Sequence, residues 1–238
     1  MQKQVRDIMK ILILGSGPNV TQAKAWARAP FDFIVVINNA WRVRTDWDYL
    51  VHPSDFPLYR QPLVLKRGQR AITHHDYVPA QNALGGFVYA GGTMAFTASY
   101  WALHALKPTV MAYMGCDMTY QATPSHFYGQ GTADPMRVDV TLRSLEAKSA
   151  RLQAIAQRRG CACVNLSSDP SRLVFARGEL DNFFVKTEIN QVAMDQALRL
   201  ERDAGYMVPS GKYWKEEASF DTEVIDEIDA TWLATLAD

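Results

Sequence analysis

Ile11-Leu12-Ile13-Leu14-Gly15-Ser16-Gly17-Pro18-Asn19 decides the fold, because four aliphatic residues in a row run straight into a turn with two glycines. A short unbroken apolar run reads as a strand buried on both faces of a parallel sheet; alternation is expected only where one face meets water. The small residues that follow let backbone N–H groups approach an anion at a helix N-terminus. Gly15, Ser16, Gly17, Pro18 and Asn19 are therefore candidates for holding the phosphate part of a nucleotide. A plainer reading, in which the glycines only make a tight strand-to-helix turn, stands beside it. A dinucleotide fingerprint would place a third glycine where Val20 stands and an acid at the end of the second strand. That strand ends instead in Val36-Ile37-Asn38-Asn39, which disfavours NAD. No Gly-Lys-Ser or Gly-Lys-Thr follows at Walker spacing. Asn38 and Asn39 are carboxamides that can bond a base or ribose without adding charge near a phosphate.

Outward from this stretch, short aliphatic runs alternate with segments of helical period. The predicted strands are Lys10 to Leu14, Phe33 to Ile37, Tyr49 to Val51, Leu63 to Leu65, Thr109 to Met114 and Ala162 to Leu166. The predicted helices are Val20 to Arg28, Thr93 to Leu106, Val138 to Arg159, capped by Gly160, and Val185 to Ala204. Pro53 to Gly86 has no clear period and reads as irregular. The pattern predicts an α/β, Rossmann-like fold: a mostly parallel sheet with helices on both faces, plus a C-terminal helical extension. Residues 1–180 form the expected nucleotide-binding domain, and 181–238 the extension packed on it. For that aromatic and acidic tail, packing on the same domain and a homo-oligomer contact are both open.

The chain has 238 residues, enough for one large domain, and 25 basic residues balance 25 acidic ones. The balance gives no reason to expect nucleic acid or an anionic membrane as the main partner, although a local basic patch is compatible with it. No apolar run reaches the roughly 20 residues of a transmembrane helix, and the start lacks a signal-peptide core, so a cytoplasmic location is expected. Cys116, Cys161 and Cys163 fit neither a disulfide framework nor a zinc site, so no metal is expected on thiols.

Two further motifs stand at predicted strand and helix ends. Gly91-Gly92-Thr93 opens a helix and makes Gly92 and Thr93 either a second anion site or a plain helix cap. Val110 to Asp117 is a buried strand that delivers an acid, Asp117, at its C-terminal end. Beyond it come Tyr120 and the loop Ser125-His126-Phe127-Tyr128-Gly129-Gln130-Gly131. Tyr120 can donate a hydrogen bond to a phosphoryl oxygen, and His126 can take a proton from an attacking hydroxyl. A solvent-exposed loop histidine is the alternative for His126. His74, His75 and His104 carry no assigned role.

Gly15 to Asn19, Asn38-Asn39, Gly91 to Ala105 and Gly115-Cys116-Asp117 through Gly129 occur in an order that resembles the bacterial sialyltransferases of glycosyltransferase family 42. Asp-x-x-Tyr followed by a Ser/Thr-His-x-x-Gly loop is also similar to the motility-accessory-factor flagellin glycosyltransferases and the related 6-hydroxymethylpterin pyrophosphokinases. The resemblance covers roughly residues 10 to 175. It implies an enzyme that binds a CMP-activated nonulosonic (sialic-acid-type) sugar and transfers it, without metal or other cofactor, to an acceptor hydroxyl of a glycan. Gly15 to Asn19 and Asn38-Asn39 would then hold the nucleotide, and Asp117 and Gly92-Thr93 would border the site. Tyr120 would face the phosphate and His126 would be the general base. Ser167 and Ser168, within Asn165-Leu166-Ser167-Ser168, resemble the last nucleotide-contacting loop. The segment between Asp117 and His126 is shorter than the sialyltransferase lid. Two other readings are carried with it: a pterin-type diphosphokinase using ATP and Mg²⁺, and a non-catalytic nucleotide-sugar binding protein.

Overall fold

A computed structural model describes residues 8–120, 124–129, 137–183 and 187–236. Its centre is set by β1 (Lys10–Leu14), in which Ile11 to Leu14 are wholly buried, as a central strand covered on both faces must be. Ile11 and Ile13 point into one apolar core and Leu12 and Leu14 into another, the period of two expected for a strand. β1 pairs in parallel with β2 (Phe33–Ile37) on one side and β5 (Val110–Met114) on the other, placing Leu12 between Ile34 and Ala112. β3 (Tyr49–Val51) and β4 (Arg70–Ile72) extend the sheet beyond β2; β6 (Ala162–Asn165) and β7 (Ala176–Arg177) extend it beyond β5. All pairings are parallel and the order is β4-β3-β2-β1-β5-β6-β7, so this is an α/β, Rossmann-like sheet.

The two faces are covered differently. The α-helices lie over one core: α1 (His74–Asn82), α2 (Phe87–Ala90), α3 (Met94–Ala105), α4 (Leu145–Arg158), α5 (Gln191–Ala204) and α6 (Thr222–Leu233). Over the other core lie short 3-10 segments, Pro18–Lys24 and Asn38–Arg42, which contribute Val20, Ala23 and Ala40. The C-terminal helices share the first core through Met194, Ala197, Ile225, Ile228 and Trp232. A buried polar joint fastens them. Arg151 of α4 donates to Glu201 of α5 (2.6 and 2.8 Å), to the Tyr100 hydroxyl (2.7 Å) and to the Leu84 carbonyl (2.8 Å), while Trp232 Nε1 donates to Glu201 (2.7 Å). Beside it, Lys148 and Asp229 pair at 2.6 Å with both side chains buried.

Several expectations need correction. Leu63 to Leu65 is not a strand: Leu63 is 100 % exposed, and the edge is β4, whose Ile72 pairs with Val51. Apolar character without burial gives such a run no sheet to join, and Pro62 removes a ladder donor. The expected helix Val20 to Arg28 is a 3-10 segment with Pro18 at its start. Val138 to Arg159 is interrupted because the Ser144 hydroxyl accepts from the Ala147 amide (3.2 Å) and starts α4 afresh. Gly160 does end α4, in the left-handed region at φ +76°. The stretch thought irregular contains α1, started by a Thr73–Asp76 capping box and hidden from periodicity by Pro79. α5 begins at Gln191 behind the cap Asn190, and Val185 lies outside the described residues. The three cysteines are unpaired and buried.

Candidate functional site

After β4 the sheet grows outward from the opposite side of β1, so the loops leaving β1 and β5 diverge at a topological switch point. Ligands of open α/β sheets bind in the crevice such a point creates at the carboxyl ends of the strands. A cleft of about 1210 Å³ opens there. It exceeds the 300–1,000 Å³ of ordinary small-molecule pockets and has room for a two-part ligand. Gly15 to Asn19, Asn38, Asn39, Gly92, Thr93, Asp117, Tyr120 and His126 all line it. Ser167 and Ser168 do not: Ser167 is buried behind the wall and Ser168 is exposed.

The glycine turn does something other than present amides. Gly15 N–H donates to the Met114 carbonyl and Gly17 N–H to the Gly115 carbonyl, both at 2.8 Å, so neither amide is free for an anion. A Cβ on Gly15 would stand 2.1 Å from the Gly115 oxygen, and one on Gly115 would stand 2.6 Å from Val20 Cβ. The glycines let the β1 and β5 loops touch backbone to backbone. Gly92 also has a steric reason, since its Cβ would meet the Tyr213 hydroxyl at 2.4 Å.

The second glycine turn has the freer amides. Thr93 Oγ1 accepts from Phe96 N–H (3.3 Å) at the start of α3, while Met94 and Ala95, which line the cleft, have no acceptor within the helix. The positive end of a 12-residue helix thus faces the cleft. Arg60 and Arg137 are the cationic side chains among its described lining residues. Arg137 is half exposed and anchored by Asp139 (2.6 Å), whose other oxygen accepts from the Thr141 amide (2.8 Å); Tyr213 OH also donates to Asp139 (2.9 Å).

At the end of β2 the side chains are left wanting partners. Asn39 is 2 % exposed, and its Oδ1, like that of Asn38, is buried with no hydrogen-bond partner. A buried acceptor without a partner costs about 1–3 kcal/mol; both residues line the cleft, and each oxygen must turn outward to take a hydroxyl or amine from a ligand. Asn38 reaches this position in the left-handed region, at φ +51°. Across the cleft, Asn19 Nδ2 lies 2.7 Å from Asp117, 2.8 Å from Ser167 Oγ and 2.9 Å from Asp169. Its two hydrogens are shared among three acceptors, and its own Oδ1 is buried and unbonded. Asn165 Nδ2 also donates to Asp117 (3.3 Å), and Ser167 is held by donating its amide to Asn165 (2.9 Å). Among the described residues neither Asp117 nor Asp169 has an ion-pair partner, and no group of three or more His, Cys, Asp or Glu gathers.

His126 sits on a tight turn closed by hydrogen bonds with Gly129 (3.2 and 3.0 Å) and pinned to the glycine loop by Phe127 N–H to Ser16 O (3.1 Å). Its ring stacks on Tyr128 at 5.1 Å, with Tyr120 at 6.2 Å, and its Nδ1 lies 2.9 Å from Ser125 Oγ. Burial lowers its pKa below 6.5, so the ring is neutral at pH 7 and able to accept a proton. Burial pushes the Tyr120 phenol up to about 12, which keeps it a donor. Tyr120 and Met118 are both left-handed, at φ +52° and +54°, an uncommon backbone state that functional sites concentrate. Cys116 lines the cleft, but burial raises its thiol pKa and removes it as a nucleophile. Gln130 and Gly131 of the predicted loop lie outside the described residues.

Sequence reasoning missed Asp169, Arg137 and Tyr213, and it quoted Ser125 in the His126 loop without giving it a role. Asp169 had a signal, since it directly follows Ser167-Ser168 at the end of β6; Ser125 adjoins His126. Arg137 and Tyr213 meet only through folding, 76 positions apart. Comparison with known proteins found no matching family model, curated protein or solved structure.

Proposed function

We propose that this chain is a sialyltransferase-like glycosyltransferase that binds a CMP-activated nonulosonic sugar and transfers the sugar to an acceptor hydroxyl. The observation that carries the reading is the meeting, in one cleft, of Asn38 and Asn39, whose amide oxygens have no hydrogen-bond partner, with a half-buried His126 whose pKa burial lowers. The amide oxygens accept from ribose hydroxyls or the base amine. The phosphate lies toward the start of α3, with Arg60 or Arg137 as its cation. In the reaction the acceptor oxygen attacks the anomeric carbon, the bond from that carbon to the CMP phosphate oxygen breaks, and CMP leaves. His126 takes the acceptor proton on Nε2, which requires Nδ1 to carry its hydrogen toward Ser125 Oγ. Tyr120, kept protonated, donates to the leaving phosphate.

A specific observation favours a second reading. Asp117 and Asp169 converge on one amide group without a cation, a pair of carboxylates that would suit Mg²⁺ in a pterin-type diphosphokinase using ATP. A non-catalytic nucleotide-sugar binding protein would use the same cleft without needing His126. Release of CMP from a CMP-activated nonulosonic sugar, with an acceptor glycan and chelator present, tests the proposal. General-base help contributes about 10²–10⁴-fold, so His126→Ala should lower turnover by that range. Full turnover in His126→Ala refutes the assigned base; AMP formation from ATP that requires Mg²⁺ moves the assignment to the kinase.

A further inference from the structure

The segment from Leu58 to Arg67 gathers exposed apolar side chains beyond anything else among the described residues. Leu63 is 100 % exposed, Leu58 83 %, Val64 79 % and Tyr59 76 %. Single exposed apolar residues are ordinary, but a contiguous group marks an interaction surface. Its charge is one-sided: no acid occurs from Phe56 to His75, while Lys66 and Arg67 flank the apolar tip. Arg42 joins them, stacked over Trp41 at 5.4 Å, and Trp41 Nε1 donates to the Arg60 carbonyl (2.9 Å), tying the two loops into one face. Arg70 is not counted, because it pairs with Asp76.

We propose that this face docks on an anionic lipid bilayer, with Leu63 and Val64 entering the headgroup–acyl boundary and Arg42, Lys66 and Arg67 meeting lipid phosphates. Charge complementarity and exposure favour a bilayer over a folded partner. The apolar side chains stand almost fully in solvent, so a folded partner would need a pocket for each, whereas fluid lipid closes around them. Apolar insertion and electrostatic attraction act together at such interfaces, and the exposed Tyr59 suits headgroup depth. Pro53, Asp55, Phe56 and Pro57, just before the segment, line the cleft, so docking sets the cleft mouth beside the headgroups. The docking does not depend on what the cleft binds.

Co-sedimentation of the full chain with vesicles tests this, using phosphatidylcholine alone and phosphatidylcholine mixed with phosphatidylglycerol. Binding is expected to the mixed vesicles only, and to weaken as salt rises. Leu63→Glu with Val64→Glu, and separately Lys66→Glu with Arg67→Glu, should each weaken it by about tenfold or more. Val192→Glu, at an equally exposed residue of α5, should leave it unchanged. Should the apolar pair lower the melting temperature, the charge pair decides alone. Failure to sediment with anionic vesicles, an equal loss in Val192→Glu, or a dimer abolished by the apolar pair would overturn the proposal; the last result identifies a second copy as the occupant.

Discussion

Replacing Gly15 with Ala separates two roles for the opening glycine turn. The added Cβ would stand 2.1 Å from the Gly115 oxygen and 2.7 Å from Cys116 Sγ, closer than any real contact. Backbone on one side and a buried thiol on the other leave little to yield, so the β1 and β5 loops must part. Overpacking of this kind costs about 1–3 kcal/mol, and the bonds from Gly15 and Gly17 to the β5 side contribute about 1 kcal/mol each if broken. A loss of roughly 3 to 5 kcal/mol follows, equivalent to roughly 6 to 20 °C in melting temperature for a domain of this size. Urea unfolding and thermal melts of Gly15→Ala measure it directly, with nucleotide affinity followed by calorimetry. Unchanged stability together with lost nucleotide binding would refute the reasoning, because a phosphate cradle then explains Gly15 better than loop contact.

Four further outcomes are expected. Asn39→Ala removes a buried oxygen that has no partner, so stability should change by no more than about 1 kcal/mol while nucleotide affinity falls about tenfold, both readable by calorimetry and denaturation. Burial depresses the His126 pKa, so between its folded value and 6.5 the unfolded chain binds more protons: this group's contribution to stability is full above 6.5 and declines as pH falls through that window. For the same reason kcat/KM should stay level above 6.5 and fall on an acid limb below it, and a limb centred above 6.5 contradicts the burial argument. Arg151→Met strands Glu201 in the core and should cost about 3–5 kcal/mol in urea unfolding, with Glu201→Leu in the same chain restoring most of it.

Legibility in the sequence followed local physics. β1, β2 and β3 were readable to the residue because each is a buried aliphatic run, and burial is what composition reports best. Leu63 to Leu65 carries the same composition but projects from the surface, so the period alone misplaced the sheet edge. α1 escaped because Pro79 and a polar sequence obscure its stripe, although Thr73 and Asp76 spelled a capping box. At the site, strand ends were legible and so were the residues on them: Asn38, Asn39, Asp117, Tyr120 and His126 reach one cleft. What the sequence could not tell is which amides would be spent. Gly15 and Gly17 bond β5, and only the three-dimensional approach of two loops reveals it. Arg137, Asp139 and Tyr213 likewise come together through tertiary packing, not spacing.

The central claim is that the cleft between β1 and β5 recognises a cytidine nucleotide through amides and a helix N-terminus, without help from a divalent ion. Titration calorimetry of CMP, CTP, ATP and GTP, each with Mg²⁺ and with chelator, addresses it most directly. The account predicts CMP binding in chelator that His126→Ala preserves and Asn39→Ala weakens. Absence of cytidine nucleotide binding, or binding of ATP alone and only with Mg²⁺, would contradict it.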